Sequence, residues 1–433
     1  MNGKILNRRD FLKLSAMGSA LSPFILTSPL GGNTSKHKFV FIFLAGGWDS
    51  ALATDPIIGD KLSSGNYQDA YNSVTTHGVN GKNNLLVGQG LQPALEIFAG
   101  INTAFINGMY IEVPAHDLAS KYVMTGQFTL SRTANLPSFV ATMASIRGGF
   151  PSHIILGGAL PLGDTATTAP PLSAVGLEGL SSELTPPGTG YNLTAGTMAA
   201  VNQAIKRANY KNIGQLGKPP APVVEAWRNS EAAIAPLYES SFNESLAITD
   251  ELKQRYNFST STEKAGKLAS AFLVLSSGLS PYVTVELDGY DTHTSGLSVH
   301  TTQLTDFATP LATFVGDLQN TSDPDNPNES MMDHTTICIT SEFVRTPKFN
   351  EQGGTDHWQS ASAILLGKGI RDNAIAGATG NDAYALGWQN NAAVEFNEQS
   401  KIGPENLAAT ILSLFGHQAQ ADAIGSRLDD VLA

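Results

Sequence analysis

"FVFIFLAGGWDS", residues 39–50, decides the fold. Its first seven residues are all apolar, without the polar alternation of a strand that has one wet face. A strand apolar on both sides must be covered on both sides, which is the habit of parallel sheets flanked by helices. The run ends in Gly46-Gly47, and Asp49 and Ser50 follow, so polar groups are delivered just beyond the strand's carboxyl end.

The same design recurs along the chain. "TAFING" (103–108) leads toward "VPAHD" (113–117), and "HIILGG" (153–158) enters a long loop. "YVTVELDG" (282–289) leads into "YDTHTSG", and "TTICIT" (335–340) leads into "SEFVR". Helical patterns lie between. Leu304, Phe307, Leu311, Phe314, Val315 and Leu318 fit one helix face, with Pro310 expected to kink or restart it. Leu407, Ile411, Leu414 and Phe415 make another, stopped by Gly416. Buried strands alternating with helices predict an α/β fold, a mostly parallel sheet covered on both faces.

Residues 160–277 break the pattern. "TATTAPPLSAVGLEGLSSELTPPGTG" (165–190) is a loop composition, and residues 223–277 have helical, polar-faced patterns, so the segment is expected as a loop and helical insertion. "NTSDPDNPNES" (320–330) is expected as a solvated acidic turn.

With 433 residues, 42% of them apolar and 15% charged, the chain can bury one large core or two smaller ones. Its formal net charge of −12 and lack of a basic patch exclude nucleic acid as a partner. The single cysteine, Cys338, excludes an internal disulfide and lies inside an apolar strand run. "NRRDFLKL" (7–14) places Arg8-Arg9 ahead of a short apolar stretch reaching about Leu26. That predicts a twin-arginine signal and spacer over 1–35, recognition by the twin-arginine export machinery, and a folded protein in the periplasm or outside the cell. The stretch carries Gly18 and Pro23 and is too short for a stable membrane span.

In an open parallel sheet, ligands bind beyond the carboxyl ends of the strands. Four polar groups stand there in sequence: Asp49; His116 with Asp117; Asp288, Asp291 and His293; and Glu342 with Arg345, followed one loop later by Asp356 and His357. Carboxylates and imidazoles together suit zinc, manganese or calcium, one ion or two. Arg345 offers a fork for a phosphate or sulfate oxygen. Arg345 and His116 are the expected catalytic residues. Asp49, Asp291, His293, Glu342, Asp356 and His357 are the expected metal set, with Asp356 acting on His357 from behind. Each residue alone has a plain structural reading: Asp49 as a cap, Asp291-Thr292-His293 as a turn, Glu342 with Arg345 as an ion pair. The set is stronger than its members because every one of them follows a buried strand.

"FLAGGWDS", "GYDTHTSG", "SEFVRTP", "GGTDHW" and "LAATILSLFG" together resemble domain-of-unknown-function family 1501, twin-arginine-exported proteins similar to the alkaline phosphatase and sulfatase superfamily. The resemblance implies a three-layer, alkaline-phosphatase-like α/β/α sandwich over 36–433. It also implies an exported metal-dependent hydrolase of phosphate or sulfate esters with an anionic small-molecule substrate. In that comparison Asp49 takes the place of the first metal-binding aspartate. Asp291 with His293 takes that of the Asp/His pair, Glu342 replaces a later Asp-His pair, and His357 the last histidine. Ala115 stands where relatives tend to have a serine before the histidine. Ser50, Ser120 and Thr125 are the other hydroxyls to consider as nucleophile. The alternative is a non-catalytic exported binding protein that keeps the fold and a metal.

Overall fold

The computed structural model describes residues 37–56, 74–132, 136–147, 152–158, 171–177, 245–294, 296–380 and 382–433. The expected signal over 1–35 and most of 160–244 lie outside the described residues.

Eight strands form the central sheet: β1 (Lys38–Leu44), β2 (Thr103–Tyr110), β3 (Ile154–Leu156), β4 (Leu172–Ala174), β5 (Tyr282–Leu287), β6 (Thr335–Thr340), β7 (Ser360–Gly367) and β8 (Ala374–Ala376). Their spatial order is β8-β2-β7-β6-β1-β5-β3-β4. Strand β1 pairs in parallel with both β6 and β5, Phe39 lying beside Thr336 on one side and Tyr282 on the other. Only β7 runs against the rest, antiparallel to β6 and to β2. The apolar runs at 39–45, 103–108, 282–289 and 335–340 are all strands of this sheet, so the mixed α/β reading with a mostly parallel sheet is the observed architecture.

Both faces of β1 are buried, as its unbroken apolar sequence requires. Val40, Ile42 and Leu44 enter one core with Leu268 and Val274 of α3 (Lys264–Ser276) and Phe307 and Leu311 of α4 (Gly296–Asn320). Phe39, Phe41 and Phe43 enter the other with Val123 of α1 (His116–Thr125), Val140 of α2 (Phe139–Arg147) and Ile411 of α5 (Pro404–Leu414). Helix, sheet and helix make three layers. Each fully buried phenylalanine contributes about 1.5–3 kcal/mol by leaving water.

Three details differ from expectation. Helix α4 runs through Pro310 without restarting, with Pro310 buried on its core side. Within 160–277, expected as a loop and helical insertion, residues 172–174 are instead the edge strand β4, and α3 packs in the core. The stretch 320–330 forms a short solvent-exposed hairpin, with the exception of Asp323, which is fully buried against Lys38. Cys338 is buried in β6, where desolvation raises its thiol pKa.

The antiparallel β7 is what positions the site. Because β6 and β7 are antiparallel neighbours, the connection 341–359 leaves and re-enters the sheet at one edge. That edge also holds the carboxyl ends of β1, β2 and β5. The chain from Ser341 to Gln359 therefore lies over the same ground as the turns after those strands. Among the described residues no helix is long and apolar enough to cross a membrane.

Candidate metal centre

The turn after β1 is held by close backbone approach. Gly46 has φ +120°, and a Cβ there would stand 2.3 Å from the backbone nitrogen of Asp291. Only glycine fits, so the turn after β1 rests directly on the loop after β5. That second loop is clamped from its other side. A Cβ on Gly354 would lie 2.0 Å from the carbonyl carbon of His293, Thr355 N–H donates to Thr292 O at 3.0 Å, and Asn350 Nδ2 donates to His293 O at 3.1 Å.

Arg345 is the buried rivet between these loops. Only 2% exposed, it donates from Nε to Gly47 O at 3.0 Å, from Nη1 to Thr355 O at 2.9 Å, and from Nη2 to Gly46 O and the Asp291 carboxylate. The fork expected at a substrate oxygen is instead occupied by three backbone carbonyls and Asp291.

Asp291 is the hub. His116 Nε2 lies 3.4 Å from its Oδ2, and His293 Nε2 and His357 Nε2 lie 3.1 Å and 3.4 Å from its Oδ1. Each ring is anchored by its other nitrogen. His116 Nδ1 bonds Glu342 Oε1 at 2.8 Å, His293 Nδ1 bonds Asp356 Oδ1 at 2.9 Å, and His357 Nδ1 bonds the carbonyl oxygen of Pro114 at 2.9 Å. A carboxylate or carbonyl only accepts, so each Nδ1 carries a proton, and in the neutral ring each Nε2 presents a lone pair toward the cluster. The Nε2 atoms of His293 and His357 are 3.1 Å apart. Two lone pairs at that distance repel unless a proton or a cation stands with them.

The electrostatics follow. The Glu342 hydrogen bond raises the pKa of His116 against the effect of burial. Desolvation lowers that of His357, outweighing the Pro114 bond. Burial pushes Asp291 upward, but the Arg345 bond and charge, with His116 and His293, hold its carboxyl below the ordinary range. Asp356 is held low by bonds from Asn350 and His293. The cluster is open to solvent, with His116 41%, His293 44% and Asp291 48% exposed.

The expected set is thus partly assembled. Asp291, His293 and His357 come together, joined by His116, which sequence reasoning had made a catalytic residue. One ligand atom from each of His116, Asp291 and His357 lies within 4.8 Å of the others, a group able to hold a metal ion. Glu342 lies beneath rather than in the cluster: Oε1 accepts from Gly46 N–H as well as His116, and Oε2 meets the Ser341 hydroxyl at 2.9 Å. Asp356 sits behind His293, not His357. The Asp49 carboxylate accepts from Ala51 N–H at 3.0 Å as the cap of a short 3-10 turn. The Pro114 carbonyl was missed, and no sequence signal could have found it, since a backbone oxygen has no residue type. Ser50 is buried in the 3-10 turn, and the Thr125 hydroxyl donates to Lys121 O within α1. Ala115 is the residue immediately before α1, next to His116.

Solved structures resemble the fold distantly. An alkaline phosphatase superfamily protein from Vibrio parahaemolyticus is 13% identical with a TM-score of 0.39, over 99% of this chain and 80% of that one. A 2-O GAG sulfatase is 9% identical at 0.41, over 88% and 71%. A lipoteichoic acid synthase from Listeria monocytogenes is 8% identical at 0.35, over 92% and 78%. No curated protein matches by sequence. The model of a family described as "Protein of unknown function (DUF1501)" matches residues 36–424, and the chain belongs to that family.

Proposed function

We propose that His116, Asp291, His293 and His357 hold one divalent metal ion, and that the protein is an exported hydrolase of phosphate or sulfate esters built around it. One observation carries the reading: three imidazoles, each fixed through Nδ1, turn their Nε2 atoms onto a single carboxylate. A donor set of three nitrogens and a carboxylate suits zinc first and manganese second, whereas calcium prefers oxygen. When bound, the ion supplies Lewis-acid charge to an ester oxygen.

The chain's own residues prepare that chemistry. Glu342, Asp356 and the Pro114 carbonyl fix the tautomer and tilt of the rings, the role that acceptors behind metal-binding histidines take elsewhere. Arg345 keeps Asp291 ionised while pinning it between two loops. The half-exposed rings leave the cluster open to a small anion from solvent. Export follows from Arg8-Arg9 and the apolar stretch behind them; lysines at both positions should hold the protein in the cytoplasm, and normal export of that variant would refute it.

Turnover of aryl phosphate and aryl sulfate by the purified protein with zinc, manganese or calcium tests the hydrolase. Activity with one metal, lost in His357→Ala, is the expected result. The competing reading, an exported metal-binding protein without catalysis, is favoured by Ala115, which offers no hydroxyl beside the cluster. A folded, metal-loaded protein that turns over neither ester would establish it.

A further inference from the structure

We infer that His300 is a positioning residue for the candidate metal centre, setting Asp291 and His293 through the Thr292 hydroxyl between them; this rests on the metal reading above. His300 lies on α4, is 1% exposed, and touches two site loops at once. Its Nε2 accepts from the backbone N–H of Asp49 at 2.7 Å. An amide N–H only donates, so the ring proton is on Nδ1, which donates to Thr292 Oγ1 at 2.9 Å.

The backbone makes this bond a lever. Asp291 is exposed, Thr292 is 6% exposed and His293 is half-buried, so consecutive side chains alternate between the cluster and the protein beneath it. Thr292 is the inward tooth of that alternation. Its side chain is held by His300, and its carbonyl accepts from Thr355 N–H, whose own carbonyl accepts from Arg345 Nη1. Arg345 returns to Asp291 through Nη2. A shift of Thr292 therefore moves the residues on both sides of it, and the Asp49 N–H ties the same ring to the turn after β1. A leucine at 300 would fill the volume but leave a buried N–H without an acceptor. A histidine buried only for stability would satisfy that N–H without governing the cluster, and the two roles separate experimentally.

The test uses the full-length protein with zinc as the probe. Zinc affinity, by competition with a chelator, and the urea midpoint of the metal-free protein are measured for wild type, Thr292→Val, Thr292→Ser and His300→Gln. Thr292→Val keeps the volume and the His300–Asp49 bond, so it remains informative even where His300→Gln fails to fold. The expected result is zinc binding weakened about 10–100-fold in Thr292→Val, the range for residues that orient ligands, with Thr292→Ser restoring it. Unchanged affinity in folded Thr292→Val overturns the inference and leaves the metal reading intact. Failure of the wild type itself to bind zinc or manganese overturns both, so the two failures are distinguishable.

Discussion

The two ends of β1 handle buried polarity in opposite ways. At the amino end Lys38 Nζ lies 2.6 Å from Asp323 and 3.0 Å from Asp325, and the side chains of Lys38 and Asp323 are 2% and 0% exposed. His37 beside it bonds Thr336 Oγ1 at 2.7 Å and stacks on Phe415 at 4.0 Å between ring centres. Cation meets anion, and Lys38 and Asp323 are sealed from solvent. At the carboxyl end Arg345 meets the Asp291 carboxylate from beneath, and three imidazole Nε2 atoms converge on the same carboxylate in a half-exposed cluster. Closed complementarity holds a fold together, whereas several rings turned onto one solvent-reached carboxylate offer a place to a further cation.

That contrast can be broken first at its closed end. Lys38→Met should leave Asp323 buried without its cation and cost about 3–5 kcal/mol in urea unfolding, with zinc affinity unchanged. A cost below about 1 kcal/mol, the range of a surface pair, would mean that the amino end is not closed.

A second effect spans both ends. Burial lowers the pKa of His37, His153 and His300 to about 3. Their unfolded values lie near 6.5, so between about pH 3 and 6.5 the unfolded chain binds more protons than the folded one. The stability that goes with their neutral state is fully present above about 6.5 and is lost as pH falls. Each histidine adds up to about 1.4 kcal/mol per pH unit to the slope. Urea midpoints of the metal-free protein near pH 7 and 5 read this directly, and a flat profile would show these rings protonated in the fold.

Smaller effects sharpen the open end. Glu342→Gln keeps an acceptor for Gly46 and His116 but removes the charge, and Asp356→Asn does the same behind His293. Each should weaken zinc binding about 10-fold or more. Smallest of all, Arg427→Ala loses an exposed pair with Asp429 and should change stability by less than about 1 kcal/mol.

The strands were legible because apolar runs such as "FVFIFLA" and "TTICIT" leave no alternative once both faces must be buried. The edge on which the site lies followed from the same runs. The division of labour within the site did not. Glu342, Asp291 and Asp49 are equivalent carboxylates in sequence, yet one orients a ring, one joins the cluster and one caps a turn, because strand register and loop contacts decide where each points. Asp323 read as solvated because its partner Lys38 is 285 residues away. His300 carries no mark in the sequence, since its partners are a backbone amide and a hydroxyl on two different loops.

The most direct test of the central claim is the zinc stoichiometry and affinity of the purified, folded protein set beside Asp291→Asn and His357→Ala. The account predicts one equivalent in the wild type, at least about 100-fold weaker binding in both variants, and nearly unchanged metal-free stability in His357→Ala, whose ring is partly exposed; Asp291→Asn also takes the counter-charge from buried Arg345 and should lower metal-free stability. Binding that survives both substitutions, or a wild type that takes up neither zinc nor manganese, would contradict it.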